Sequence, residues 1–216
     1  MHRTGRAITL GLCTLIAACG AGMPSISSRN APFETLPPVA APAPAAVPAV
    51  AAIPAVTARA VPFTVTQVNV TVPRSLSTSE ANSYYPRADI VWRGDPIGDR
   101  HRQVADILEA GLRAGTADMA GSVPVTLDVT AVRFHSLTEK ARYSVGGVHN
   151  IIFDLTVRNA ATGVPLSPTR RVEADLPALG GTAAIEADRQ GQTQKVRLHG
   201  FLQQVIRQEL ARYVSG

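Results

Sequence analysis

Cysteine and lysine are both scarce in this 216-residue chain, and the shortage of cysteine excludes two kinds of site. The two cysteines, Cys13 and Cys19, lie close to the N-terminus, so the sequence after them has no thiol for a disulfide or a thiolate metal site. The only lysines are Lys140 and Lys195, and the formal net charge is +5. A mild and scattered excess of positive charge does not indicate a nucleic-acid-binding protein.

Local catalytic and metal-binding signatures are missing as well. The chain contains no Gly-x-Ser-x-Gly motif, and none of its histidines lies within five residues of another histidine or of a cysteine, as the ligands of a zinc site often do. The sequence therefore predicts no cofactor, no metal and no enzyme. One alternative stays open: His101 and Asp99 are distant in sequence from His135 and Glu139, but the four could meet in one cleft and form an envelope hydrolase site.

A signal-peptide pattern opens the chain. A basic start precedes an apolar run over residues 7–16 and the small residues before Cys19. The quartet Ile16-Ala17-Ala18-Cys19 resembles the lipobox of bacterial lipoproteins. This resemblance implies cleavage after Ala18, palmitate-type acylation of Cys19 and attachment to a membrane. Because Gly20 rather than aspartate follows the cysteine, it also implies export to the outer membrane, facing the periplasm.

A proline-rich segment follows the anchor. Nine of the sixteen prolines fall within residues 20–62. Such a stretch favours polyproline II, rises about 3.1 Å per residue and can reach on the order of 100 Å. We interpret residues 1–18 as the signal, 19–62 as the acylated cysteine and its tether, and 63–216 as a single globular domain. The alternative is that the tether is a low-complexity segment of no selected length.

The globular part alternates between strand and helix patterns. Gly111 and Gly115 lie on the apolar stripe of the first helix, which predicts a close approach of that helix to a sheet. The order predicts an α+β domain with an antiparallel or mixed sheet of about five strands and two helices packed on it. The predicted elements are strands over 63–72 (with a bulge near 66–67), 88–92, 123–131, 150–158 and 164–174, a turn at 159–163, a Gly-Gly loop at 180–181, and helices over 99–119 and 193–214.

Residues 84–101 form the segment richest in aromatic and polar side chains. Tyrosine, tryptophan and arginine dominate binding hot spots, so this segment predicts a partner-binding edge. The candidate residues are Tyr84, Tyr85, Arg87, Trp92 and Arg93. The structural alternative also stays open: the tryptophan is then a core residue, Asp99 caps the helix, and the arginines, Arg100 included, pair with aspartates.

Two stretches resemble an uncharacterised lipoprotein family of alphaproteobacteria. They are Tyr85-Pro86-x-Ala88-Asp89-Ile90-Val91-Trp92-Arg93-x-Asp95-Pro96-x-Gly98-Asp99-Arg100 and Arg133-Phe134-His135-x-Leu137-Thr138-Glu139, and the resemblance spans about residues 63–175. It implies a location rather than a reaction. The architecture is also similar to that of auxiliary lipoproteins of envelope ABC transporters and of lipoprotein activators of peptidoglycan synthases. These resemblances imply an accessory or binding domain with an envelope protein as its partner.

Overall fold

Five strands form one mixed sheet in the computed structural model, which describes residues 62–214. Strand β3 is central: β1 and the short β2 pair with it in parallel along one side, and β4 pairs antiparallel on the other side. Strand β5 then pairs antiparallel with β4 and forms an edge. The prediction of a mixed sheet of about five strands is confirmed. The strands are β1 (Phe63–Thr71), β2 (Ile90–Val91), β3 (Val123–His135), β4 (Gly147–Asn159) and β5 (Arg170–Ala178).

The two predicted long helices are present and begin where polar side chains cap them. The Asp99 carboxylate accepts from the backbone N–H of Arg102 at 3.1 Å, and the Thr193 hydroxyl accepts from that of Val196 at 3.3 Å. Two shorter helices were not predicted. The helices are α1 (Arg100–Thr116), α2 (Glu139–Arg142), α3 (Gly181–Arg189) and α4 (Gln194–Ala211), followed by a 3-10 turn over Arg212–Val214.

Helices α1 and α4 lie side by side and share one apolar core with the inward side chains of the strands. A Cβ placed on Gly111 would lie 2.7 Å from Cβ of Leu202, and one on Gly115 would lie 2.5 Å from Cγ2 of Ile206. The residue numbers of these contacts increase together along both helices, so α1 and α4 run parallel. The glycines therefore serve a close approach between two helices, and the predicted approach to the sheet is wrong.

Several boundaries differ from the prediction, most clearly at β5 and at the Gly180-Gly181 loop. Strand β5 covers 170–178 rather than 164–174, because Pro165 and Pro168 have no N–H to donate to a strand ladder. Pro177 is tolerated within β5 since this strand is an edge. The expected loop at Gly180-Gly181 is only the entry to α3, whose Ala-rich sequence favours helix.

The strand directions give the sheet two distinct ends. Strands β1 and β3 start together at the first end, where Phe63 pairs with Val123 and β4 finishes. The second end holds the start of β4 and the end of β5, where Gly147 pairs with Ala178. The loop over residues 72–99, together with α2, joins the elements of this second end, which we call the loop end.

Candidate functional site

Two tyrosines are displayed at the loop end. Tyr85 is 90% exposed and Tyr84 is 43% exposed. The ammonium group of Lys140 lies 4.7 Å from the centroid of the Tyr84 ring, in cation–π contact. We call Tyr84, Tyr85 and Lys140 the aromatic edge. Three further exposed apolar residues follow α2 at the same end: Tyr143, Val145 and Val148.

Ion pairs fix the loop that carries the aromatic edge. The guanidinium group of Arg93 donates to Glu139 and to Glu80, each at 2.8 Å, and the buried Arg100 donates to Glu80 at 2.6 Å. The bonds from Arg100, together with the nearby charge of Arg93, hold the pKa of Glu80 below its usual range. The Thr138 hydroxyl also donates to the Ser83 carbonyl at 2.8 Å. The loop is therefore tied to the start of α1 and to α2.

Trp92 belongs to the core rather than to the surface. Its side chain is fully buried, its indole N–H donates to Asp95 at 2.8 Å, and its ring packs edge-on against Phe134 at 5.9 Å. This is the arrangement of the structural alternative, and it leaves no part of the ring for a partner to touch. The pairing expected for the arginines differs in detail: Arg93 and Arg100 bind glutamates, and Arg87 has no carboxylate partner within the described residues.

Of the four groups of the hydrolase alternative, only His101 and Asp99 are in contact within the described residues. His101 hydrogen-bonds the Leu76 carbonyl at 3.0 Å and lies 3.9 Å from Asp99. His135 accepts a short hydrogen bond from Arg133, whereas Glu139 binds Arg93. None of these four side chains lines the surface pocket at Arg87 and Arg133 or the one at Arg170 and Tyr213.

Ser136, His149 and Gln194 form a buried polar cluster that was not predicted from the sequence. The Ser136 hydroxyl is 2.8 Å from Nδ1 of His149 and donates to Gln194 at 3.1 Å. All three side chains are buried, and burial, together with the charges of Arg197 and Arg142, lowers the pKa of His149 to about 4. This pattern fits a neutral imidazole with its proton on Nδ1, which leaves Nε2 without a partner.

The sequence does contain a signal for this cluster. His149 shares the inward phase of β4 with Ile151, Phe153 and Leu155, so a histidine at that position has to be buried. A hydroxyl beside an imidazole is the arrangement used by acyl-transfer enzymes. Here it has no access to solvent, so in this conformation the cluster contributes to the packing of α4 against β4.

The structure can be compared with the membrane and metal predictions only over residues 62–214. Ala18, Cys19 and the tether lie outside the described residues. Within 62–214, no helix is both long and apolar enough to cross a bilayer. In the same range, no three His, Cys, Asp or Glu side chains are grouped so that they could hold a metal ion.

Comparison with solved structures gives alignments of low sequence identity and low TM-score. A "putative lipoprotein" from Caulobacter crescentus CB15 aligns at 16% identity and a TM-score of 0.32, over 52% of this chain and 83% of that one. A Xanthomonas campestris protein of the family DUF330 aligns at 13% identity and a TM-score of 0.41, over 70% of this chain and 83% of its own. A comparison with curated protein sequences finds no significant match.

The family comparison covers the whole folded part. Residues 63–215 match a family of unknown function, from the first residue of β1 to just beyond the C-terminal 3-10 turn. The expectation of an uncharacterised family is confirmed, and the match extends beyond residue 175, where the resemblance seen in the sequence ended. The chain therefore belongs to the family of unknown function DUF6778.

Proposed function

We propose that this protein is a lipid-anchored, non-enzymatic accessory domain of the bacterial cell envelope that binds an envelope protein through the aromatic edge. The observation that carries the proposal is the exposure of Tyr85, 90%, on a loop whose backbone is tied down by Arg93, Arg100 and Thr138. A large aromatic side chain on a fixed loop binds a partner at low entropic cost, because little of the loop has to be ordered on binding.

The anchor in this proposal rests on the lipobox resemblance at Cys19. Two or more acyl chains suffice for stable attachment to a membrane. A tether of about forty residues then allows the domain to reach partners on the order of 100 Å from the bilayer. The architectural resemblance favours a transport or peptidoglycan-synthesis complex as the partner, with the outer membrane as the site of attachment.

Site-specific photocrosslinking in living cells tests the partner surface. A photoreactive phenylalanine at Tyr85 should give one reproducible crosslinked species. The matched control is Val164, which is 59% exposed and follows β4 at the other end of the sheet. The double variant Tyr84→Ser, Tyr85→Ser should lose the partner in affinity isolation and keep its unfolding free energy within about 0.5 kcal/mol. Equal crosslinking at both positions would show that the aromatic edge has no special role.

Metabolic labelling tests the anchor independently. Cys19→Ser should abolish incorporation of a palmitate analogue, and the protein should no longer be processed as a lipoprotein. Cys13→Ser lies within the predicted signal and is the matched control, which should keep its label. Label on the Cys19→Ser protein would show that the lipobox interpretation is wrong.

The non-enzymatic part of the proposal is supported by the separate contacts of His101 and His135 and by the burial of the Ser136–His149 pair. Panels of ester, glycan and peptide substrates should show no turnover. Turnover that disappears in His135→Ala or His149→Gln, with folding retained, would replace this proposal with a hydrolase.

A further inference from the structure

A pocket of about 360 Å³ lies beside the aromatic edge and concentrates unpaired positive charge. Fifteen arginines lie within residues 62–214, and twelve of them have a carboxylate oxygen within 4.0 Å. The three that lack such a partner in this range are Arg87, Arg133 and Arg197. Two of these three, Arg87 and Arg133, line this one pocket. We propose that the Arg87–Arg133 pocket binds an oxyanion, either a phosphate or a carboxylate group.

A β-bulge places Arg133 at the pocket. The inward residues of β3 run Val125, Leu127, Val129 and Ala131, so an unbroken strand would point residue 133 into the core. The pairing with β4 shifts between Ala131 and Arg133, which inserts Val132 as the extra residue. Phe134 then takes the inward position, and Arg133 emerges on the open face of the sheet. Bulges are common beside functional sites because they redirect a side chain in this way.

The opposite wall is held by hydrogen bonds that involve neither arginine. The backbone N–H and the hydroxyl of Ser77 both donate to Oδ2 of Asp89, at 2.9 and 2.7 Å, and together with the nearby charge of Arg133 they keep its pKa below the usual range. The backbone N–H of Phe134 donates to the Asp89 carbonyl at 2.9 Å, which joins the loop to β3. Asp89 is therefore fixed by Ser77, and the lining keeps a net charge of +1 from its two arginines and one aspartate.

The two arginines supply enough free donors to bind an oxyanion. A guanidinium group carries five N–H donors in a planar fork that suits phosphate and carboxylate. One terminal nitrogen of Arg133 donates to His135, and Arg87 forms no hydrogen bond within the described residues. The other donors of both groups are therefore free. The volume lies at the lower end of the range for small-molecule sites, so the pocket has room for the anionic group and a few attached atoms. This inference does not depend on the anchor or on the aromatic edge.

Calorimetric titration of the full-length protein in a non-ionic detergent tests the pocket, with inorganic phosphate as the probe and ionic strength held constant with sodium chloride. We expect saturable binding with a dissociation constant on the order of 1 mM. Arg87→Gln and Arg133→Gln should each weaken it about tenfold, since each loses charge-assisted hydrogen bonds. Arg133→Lys should recover only part of the affinity, because lysine keeps the charge without the fork.

The matched control is Arg102→Gln, which removes the same charge from an exposed helical position. It should leave phosphate binding unchanged. An absence of saturable binding, or an equal loss in Arg102→Gln, would overturn the proposal. Arg87 is exposed and pairs with no described residue, so Arg87→Gln tests the site even if the Arg133 variants fold poorly. The titration is repeated with acetate and with dihexanoyl phosphatidylglycerol below its micellar concentration. The anion that binds tightest identifies the natural source of the oxyanion as a carboxylate, a lipid headgroup or a free phosphate.

Discussion

The seam between α1 and α4 and the loop over residues 72–99 are held by opposite kinds of interaction. At the seam, two helices touch over glycines, and the side chains around them are apolar and buried. The loop is held to the start of α1 and to α2 by ion pairs, in which Arg93 and Arg100 bind Glu80 and Arg93 also binds Glu139. Close packing tolerates little change in volume, whereas ion pairs at a half-exposed site respond to salt and to protonation.

The helix contact therefore determines the stability of the fold, whereas the loop determines the chemistry of the surface. The seam fixes how the helices sit on the sheet, so changes there affect the whole fold. The loop, by contrast, presents the aromatic edge and one wall of the Arg87–Arg133 pocket, and its buried stretch is short, comprising Ile90, Val91 and Trp92. Residues in the loop can therefore change the binding properties of the protein at a small cost in stability.

A side chain at the seam should cause the largest loss of stability. In Gly115→Val, the new atoms would meet Ile206 and the backbone of Gln203, with Cβ alone only 2.5–2.7 Å from them. Because backbone cannot move aside cheaply, the helices have to separate. We expect a loss of about 4 kcal/mol in unfolding free energy, measured by urea denaturation.

Gly200 provides the matched control for this test. It lies inside α4, and a Cβ there would meet nothing within 4 Å. Gly200→Val should change the unfolding free energy by less than about 0.5 kcal/mol, since valine and glycine differ little in helix propensity. Similar losses in the two variants would show that the seam is not closely packed.

Acid should produce the next largest effect, through His149. Burial lowers the pKa of this histidine from 6.5 to about 4. The unfolded chain takes up the proton near pH 6.5, whereas the folded protein resists it until about pH 4, so stability is lost as the pH falls through this window and is constant above it. The loss attributable to His149 is about 3 kcal/mol. Arg197 and Arg142 act in the same direction because both are positively charged.

The variant His149→Gln isolates this contribution. Its unfolding free energy, measured in urea from pH 8 to pH 4, should depend less on pH than that of the wild type. Some dependence should remain, because burial also lowers the pKa of His135 and of His199. An unchanged slope would show that His149 is solvated or already protonated in the folded protein.

Residue phase explains most of what the sequence predicted correctly. The alternation in β1, β3 and β4 and the stripes of α1 and α4 follow from burial on one face, so element types and order were accessible. The predicted β1 bulge is also present, as a register shift between Val65 and Gln67. Strand β3 was predicted to stop at residue 131 because the bulge at Val132 interrupts its alternation of buried and exposed residues, which resumes at Phe134 within the same strand.

The candidate site was less accessible, because its geometry depends on contacts between distant residues. Tyr84 and Tyr85 could be chosen from composition, but the exposure of Tyr85 depends on how the loop is tied down. The partners of Arg93 lie 13 and 46 residues away. The Arg87–Arg133 pocket lies between the loop and strand β3, which are separated in the sequence by helix α1. No short-range spacing of residues could therefore reveal the pocket.

Loosening the loop should have a smaller effect than either change in the core. Arg93→Gln removes the shared partner of Glu80 and Glu139, and we expect a loss of about 1 kcal/mol because the glutamates are half-exposed. Trypsin should then cut at Arg87 faster than in the wild type, and added salt should narrow the difference. The control Arg113→Gln removes an exposed pair within α1 and should change neither property. Unchanged cleavage at Arg87 would show that the ion pairs do not hold the loop.

Removal of the N-terminal segment should have the smallest effect of all. The segment before β1 has many prolines and few large apolar side chains, so its burial cannot offset the entropy of ordering it. The carbonyl of Pro62 accepts from the backbone N–H of Val123 at 2.9 Å, so a chain that begins at Ala60 keeps the start of the sheet intact. Its unfolding free energy should equal that of the longer soluble chain within about 0.5 kcal/mol. Proteolysis of the longer form should begin within residues 20–61, at Arg29, Glu34 or Arg59. An unfolded truncated chain, or a segment as resistant to protease as the domain, would mean that the proline-rich stretch packs onto the sheet and contributes to the fold.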